Sequence, residues 1–119
     1  LKVEYRFVGE TAPGAPNWGY RDSGIQFHGQ PPATQKLDQP FPVCLEYNFH
    51  GGNGTEDRPL GAACTNGMFI EYKGEKNTAT CVAADVAKTF HGDQWVIAEI
   101  DANGWREYQS KGWLYFLAV

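Results

Sequence analysis

A chain of 119 residues, 42% of them hydrophobic and four of them tryptophan, is long enough to close one hydrophobic core, and its 14 glycines and 7 prolines supply the turns of a β-rich domain. Its net charge of -4, with no run of Lys or Arg, excludes the electrostatic footprint of a nucleic-acid or anionic-membrane binder. No apolar stretch approaches the roughly 18 residues that a membrane-spanning helix requires.

The chain opens directly in LKVEYRFVGE without an initiator Met, so a signal peptide is expected to be absent or already removed, and the sequence reads as a piece of a longer product. Lys2–Val8 alternates as a strand, with Val3, Tyr5 and Phe7 on one face. Gly9–Trp18 is a Pro/Gly loop. Gly24–Gln30 alternates again, with Ile25 and Phe27 against Gln26, His28 and Gln30. Pro31–Pro40 reads as a long loop in which Pro31-Pro32 opposes helix.

The run Pro42 to Gly54, PVCLEYNFHGGNG, carries the clearest pattern. A strand has period two, so Val43, Leu45, Tyr47 and Phe49 are expected to face a core. Cys44, Glu46, Asn48 and His50 then form a polar row, and Gly51, Gly52, Asn53 and Gly54 stop the strand in a turn. A carboxylate, an amide and an imidazole in line can hold a polyol or move a proton, although a surface strand carries such residues equally well as a plain solvated face. Further on, Gly67–Tyr72 and Asn77–Ala83 read as a hairpin around Lys73-Gly74-Glu75. Val82–Lys88 is the best helix candidate, at one or two turns. Gln94–Asp101 is a strand ending at the hairpin signal Ala102-Asn103-Gly104, and Trp113–Val119 is apolar and strand-like. Short strands punctuated by Gly and Pro predict an antiparallel sandwich. If the Gln26/His28/Gln30 and Glu46/Asn48/His50 rows share a sheet, they meet on one face, and a curved sheet with a wet concave face is a common seat for a sugar.

Of the three cysteines, Cys64 and Cys81 bracket the TNGMFIEYKGEKNTAT segment, which favours a bridge between them and leaves Cys44 free. Three reduced cysteines are the alternative. The sequence has no CxxC, and no Cys/His cluster has zinc spacing.

Several ordered landmarks carry a family resemblance. They are Asp22-Ser23-Gly24-Ile25, Glu46 followed two residues on by an amide, Gly51-Gly52, Arg58-Pro59, Cys64-Thr65 and His91-Gly92-Asp93-Gln94-Trp95. In these the chain resembles the 3-keto-disaccharide hydrolase-like domain, over about Leu1 to Asp101, with residues 102–119 as a divergent or truncated end. The resemblance implies a single concanavalin A-like jelly roll of the lectin and glucanase type, and it supports the Cys64–Cys81 pairing. It also implies cleavage of glycosides oxidised to a ketone at C3. The ketone acidifies the C2 proton, a base removes it, the enolate expels the C1 substituent, and water adds later. In that chemistry Glu46 is the base or a metal ligand, and His28 is the electrophile where relatives often carry Arg. His50 or His91 is the acid, and Gln26, Gln30, Asn48 (often Gln in relatives), Arg58 and His91 are the candidate substrate-binding residues. No cofactor is evident beyond a possible divalent metal. The partner is an oligosaccharide or glycoside, and the expected location is periplasmic or secreted.

Each residue also has a plainer reading. His28 and His50 can be packing residues, His91 can order a turn with Asp93 accepting backbone N–H bonds, and Arg58 can pair with a loop carboxylate. A two-carboxylate glycosidase is the weaker alternative, with Asp22, Glu56 or Asp57 as a partner for Glu46. Trp18, Tyr20, Tyr47 and Trp95 carry the rival reading of a non-catalytic carbohydrate-binding module. A structural domain of a larger exported protein is a third.

Overall fold

The computed structural model describes residues 1–101 apart from 73, 86 and 87. Among these the architecture is all-β. The strands are β1 (Lys2–Tyr5), β2 (Asp22–Phe27), β3 (Cys44–His50), β4 (Ala63–Asn66), β5 (Ile70–Tyr72), β6 (Glu75–Asn77), β7 (Cys81–Val82) and β8 (Val96–Glu99). The central sheet runs β2-β3-β4-β7, and β1-β8 and β5-β6 form two-stranded ladders. Every strand pair is antiparallel, consistent with a jelly-roll sandwich.

Register explains which side of the central sheet is dry. Ile25 faces Tyr47, Phe27 faces Leu45, and Tyr47 in turn faces Ala63 and then Val82. This inner face meets the β1-β8 ladder, where the Tyr5 ring stacks on Phe49 at 4.2 Å and nearly parallel. Val96, Ala98 and Ile100 are buried on the same ladder. Leu45, Ala63 and Ile70 form the innermost cluster, with Phe27, Met68 and Val82 packed around it. A cavity of about 40 Å³ remains on this side, lined in part by Tyr47, Ala63, Val82 and Ile100.

The opposite face is not the uniformly wet surface that alternation predicts. Cys44 is 0% exposed and Asn48 8%, whereas Val43, expected in the core, is 36% exposed. β3 is a central strand with neighbours on both sides, so its polar row is hemmed in by β2 and β4 side chains. Val43 precedes β3 and escapes the sheet, packing against Gly67.

Other boundaries moved for local reasons. β2 starts at Asp22 and stops at Phe27, because His28 takes a left-handed φ of 51° that ends the ladder. The Pro31-Pro32 loop contains a single 3-10 turn at Pro32–Thr34, with proline at its start, where the missing N–H costs nothing. The predicted hairpin is shorter than expected, at β5-β6, with Gly74 at φ 83° in its turn. β7 belongs instead to the central sheet. Of the predicted helix, Val82 closes β7 and Lys88 bridges Leu60, and no helix occurs among the described residues of that span. The Ala102-Asn103-Gly104 turn and the Trp113–Val119 strand lie outside the described residues. No helix of the described residues is long and apolar enough to cross a membrane.

Cys64 and Cys81 face each other in register and form a disulfide, and Cys44 is free and buried. The bridge holds the two-residue β7 to β4 across a sequence separation of 17. Opening it by Cys81→Ser is expected to lower unfolding stability by about 3 kcal/mol, read as a fall in the urea midpoint relative to the oxidised parent.

The Tyr5 hydroxyl is buried without a hydrogen-bond partner among the described residues. Burial, reinforced by the nearby Tyr47, pushes its pKa from 10.0 up to about 12, and burial raises Tyr47 as well. The folded state thus holds the Tyr5 proton more tightly than the unfolded chain. The resulting stability is complete below pH 10 and is lost as pH rises toward about 12. Tyr5→Phe is expected to keep or raise the melting temperature at neutral pH and to flatten the decline across that window, measured by thermal melts at stepped pH.

Candidate functional site

The outer face of β2-β3-β4 sets the predicted Glu46/Asn48/His50 row beside Gln26, while His28 and Gln30 of the other predicted row lie beyond the end of β2. Asp22 faces His50, Gly24 faces Asn48, and Gln26 faces Glu46, which in turn faces Cys64. One row further along β3, Cys44 faces Asn66. The face divides into two clusters.

The first is centred on Asp22. Asn48 Nδ2 donates to Asp22 Oδ1 at 3.1 Å, His50 Nε2 lies 3.4 Å from Oδ2, and Arg58 Nη2 lies 3.8 Å from the same oxygen. His50 Nδ1 is 3.3 Å from the Pro59 carbonyl, so an acceptor faces each ring nitrogen. Arg58 also donates to the carbonyls of Trp18 (3.1 Å) and Tyr20, tying the loop before β2 to the site.

Glu46 is the centre of the second. Its Oε2 accepts from Gln26 Nε2 at 3.2 Å and from Asn66 Nδ2 at 3.3 Å. Asn66 Nδ2 also reaches the Cys44 sulfur at 3.6 Å. These donors are neutral amides, and the Glu46 side chain keeps partial access to solvent. Between the clusters lies the Oδ1 of Asn48, buried and without a hydrogen-bond partner among the described residues. The Asp22 carboxylate requires Nδ2 on its side, which leaves Oδ1 as an acceptor awaiting a donor.

The other candidates sit apart. His28 follows β2 with its ring 5.4 Å from that of Phe27, at the end of the row away from His50. Gln30 Oε1 accepts from the Val43 N–H and from Gln39, both at 2.6 Å, and its Nε2 donates to Thr34, so this side chain organises the 31–41 loop. His91 lies beyond the His50 end, where its backbone bridges Gly52. Its Nδ1 accepts from the Gly54 N–H at 3.0 Å and its Nε2 lies 3.7 Å from Asp57. Asp93 accepts from the Arg21 guanidinium at 2.7 Å rather than from backbone N–H groups. Glu56 accepts from Asn53 and Asp57 lies against His91, so both carboxylates are engaged by loop residues and not by the Glu46 cluster. Tyr47 lines the inner cavity, Tyr20 packs against the guanidinium groups of Arg21 and Arg58, and Arg6 lies over Trp95. Trp18 stays 65% exposed.

Sequence reasoning used Asp22 only as a landmark and a possible second carboxylate, and it missed Asn66. Antiparallel pairing of the two rows identifies Asp22, because setting Gln26 opposite Glu46 places Asp22 opposite His50. Asn66 had no such signal, since β4 (ACTN) lacks alternating large apolar residues. Among the described residues no group of three or more His, Cys, Asp or Glu side chains is arranged to hold a metal ion.

A family model described as the 3-keto-alpha-glucoside-1,2-lyase-like domain matches residues 1–113. The chain belongs to this family. Membership supports a carbohydrate-related function for the domain. Neither a curated protein nor a solved structure gives a significant match.

Asp22 is committed to three partners, and its side chain is 17% exposed. Asp22→Ala is expected to cost about 2 kcal/mol, because it strips a charged acceptor from partly buried donors. Chemical denaturation of the variant beside the parent checks the value.

Proposed function

We propose that this domain cleaves 3-keto-glycosides by proton abstraction next to the ketone, with Glu46 as the base. The observation that carries the reading is the Glu46 carboxylate, partly open to solvent and steadied by Gln26 and Asn66, two donors that orient it without neutralising it. Glu46 takes the C2 proton, and the C–H electron pair becomes the enolate. Collapse of the enolate forms the C1–C2 double bond and releases the C1 oxygen, which takes a proton from His50. Water then adds at C1. His28, on the Glu46 side of the row, supports the enolate oxygen, and the orphaned Asn48 Oδ1 accepts from a substrate hydroxyl.

Glu46 leans over Gly24, the residue opposite Asn48, which carries its carboxylate toward His50, as a base at C2 and an acid at the neighbouring C1 oxygen of one ring require. Asp22, itself paired with Arg58, holds His50 at the far end. The disulfide fits an exported domain. His91 and Gln30 support loops around this arrangement, and a role in contacting substrate would be additional to that.

Exposed Trp18, whose carbonyl is bonded to Arg58, favours a second reading, a carbohydrate-binding module without turnover. Release of 3-keto-glucose from a 3-keto-glucoside separates the two. The parent should release it, and EDTA sensitivity would add a metal. Glu46→Gln should lower turnover to background with an unchanged circular dichroism spectrum, and retained turnover would remove Glu46 from the mechanism. Saturable glycan affinity without product would establish the module.

A further inference from the structure

Gly24 stands in the middle of β2, where a glycine weakens the strand and offers nothing to pack. Its backbone is not the reason for it, since Gly24 is not among the positive-φ glycines. The reason is space. A Cβ built on Gly24 would lie 2.7 Å from Glu46 Cγ and 2.9 Å from Glu46 Cδ, closer than real Cβ contacts come. Glu46 is paired in register with Gln26, not with Gly24. Its carboxyl group therefore leans diagonally across β2 into the gap left by the missing side chain, with Oε1 over Gly24 and Oε2 between Gln26 and Asn66.

We propose that Gly24 is the positioning residue for Glu46: the absence of a side chain at this one point lets the carboxylate lie along the sheet instead of projecting from it. The proposal rests on the reading of Glu46 as the base, but its geometry can be tested without a substrate.

The test compares Gly24→Ala in the parent and in the Glu46→Ala background, with Ser23→Ala, at an exposed neighbouring position, as the strand control. In the parent, Gly24→Ala should lower the melting temperature by several degrees. With Glu46 already truncated, the same change should be neutral or stabilising, because only the strand preference remains. An equal fall in both backgrounds would overturn the proposal. A Gly24→Ala variant that folds only in the double mutant supports it. In the folded single variant, the side-chain amide resonances of Gln26 and Asn66 should shift in a ¹H–¹⁵N spectrum, and unmoved resonances would overturn it. With a 3-keto-glucoside, kcat should fall by about 100-fold while KM changes little, the pattern of a misplaced base. An unchanged kcat would overturn the positioning role. A parent that turns over no 3-keto-glycoside sinks the proposed reaction instead, and the melting cycle and the amide resonances still decide the glycine.

Discussion

The register of β2 against β3 is the constraint on which the rest depends. Asp22 to Phe27 run against His50 to Leu45 without a bulge, and the bond from the Gly51 N–H to the Arg21 carbonyl extends the match at one end, while past His28 the Gln30 N–H meets the Val43 carbonyl one residue out of register. A slip of one residue would turn Ile25 and Phe27 toward the polar face and empty the inner one. The register is held from both sides of the sheet. Phe27, Leu45 and Phe49 pack on the inner side, while the Asn48–Asp22 bond and the gap at Gly24 hold it on the outer. The arrangement that buries the core is the same one that sets Gln26 beside Glu46 and Asp22 beside His50.

Much of this was legible in the chain, because strict alternation is a strong signal. The run from Val43 to His50 declared β3 and its two faces, and the cysteine spacing suggested the bridge that forms. Alternation says nothing of what neighbouring strands cover, so the burial of Asn48 and Cys44 was not readable. Nor was β4, whose small residues Ala63, Cys64 and Thr65 are buried because large neighbours, among them Leu45 and Tyr47, stand opposite them. Its Asn66 reaches Glu46 from a segment without a pattern of its own. Asp22 needed one further step, the pairing of two rows that had been found separately.

The two ends of the polar face differ in how far their hydrogen bonding is satisfied. At the Asp22 end each carboxylate oxygen has a partner, and His50 and Arg58 are anchored to loop carbonyls. Among the described residues, Oε2 at the Glu46 end is held by two amides, and the Asn48 Oδ1 between the two ends has no donor. A buried acceptor without a donor is costly in an empty site and becomes favourable when a hydroxyl arrives. This asymmetry leaves the Asp22 end of the strand the more firmly bonded of the two.

The pairing of β1 with β8 has a consequence for how the chain assembles. Those strands come from opposite ends of the described sequence, whereas β2, β3 and β4 are near neighbours along it. Pairing between distant segments carries the larger loop-closure cost and tends to come late. During synthesis the β2-β3-β4 face can therefore take shape while Phe49 and Tyr47 still lack the Val96–Ile100 layer that covers their side. Until that segment leaves the ribosome, the nascent domain carries a formed polar surface on one side and a sticky aromatic one on the other, the window in which a chaperone has most to protect.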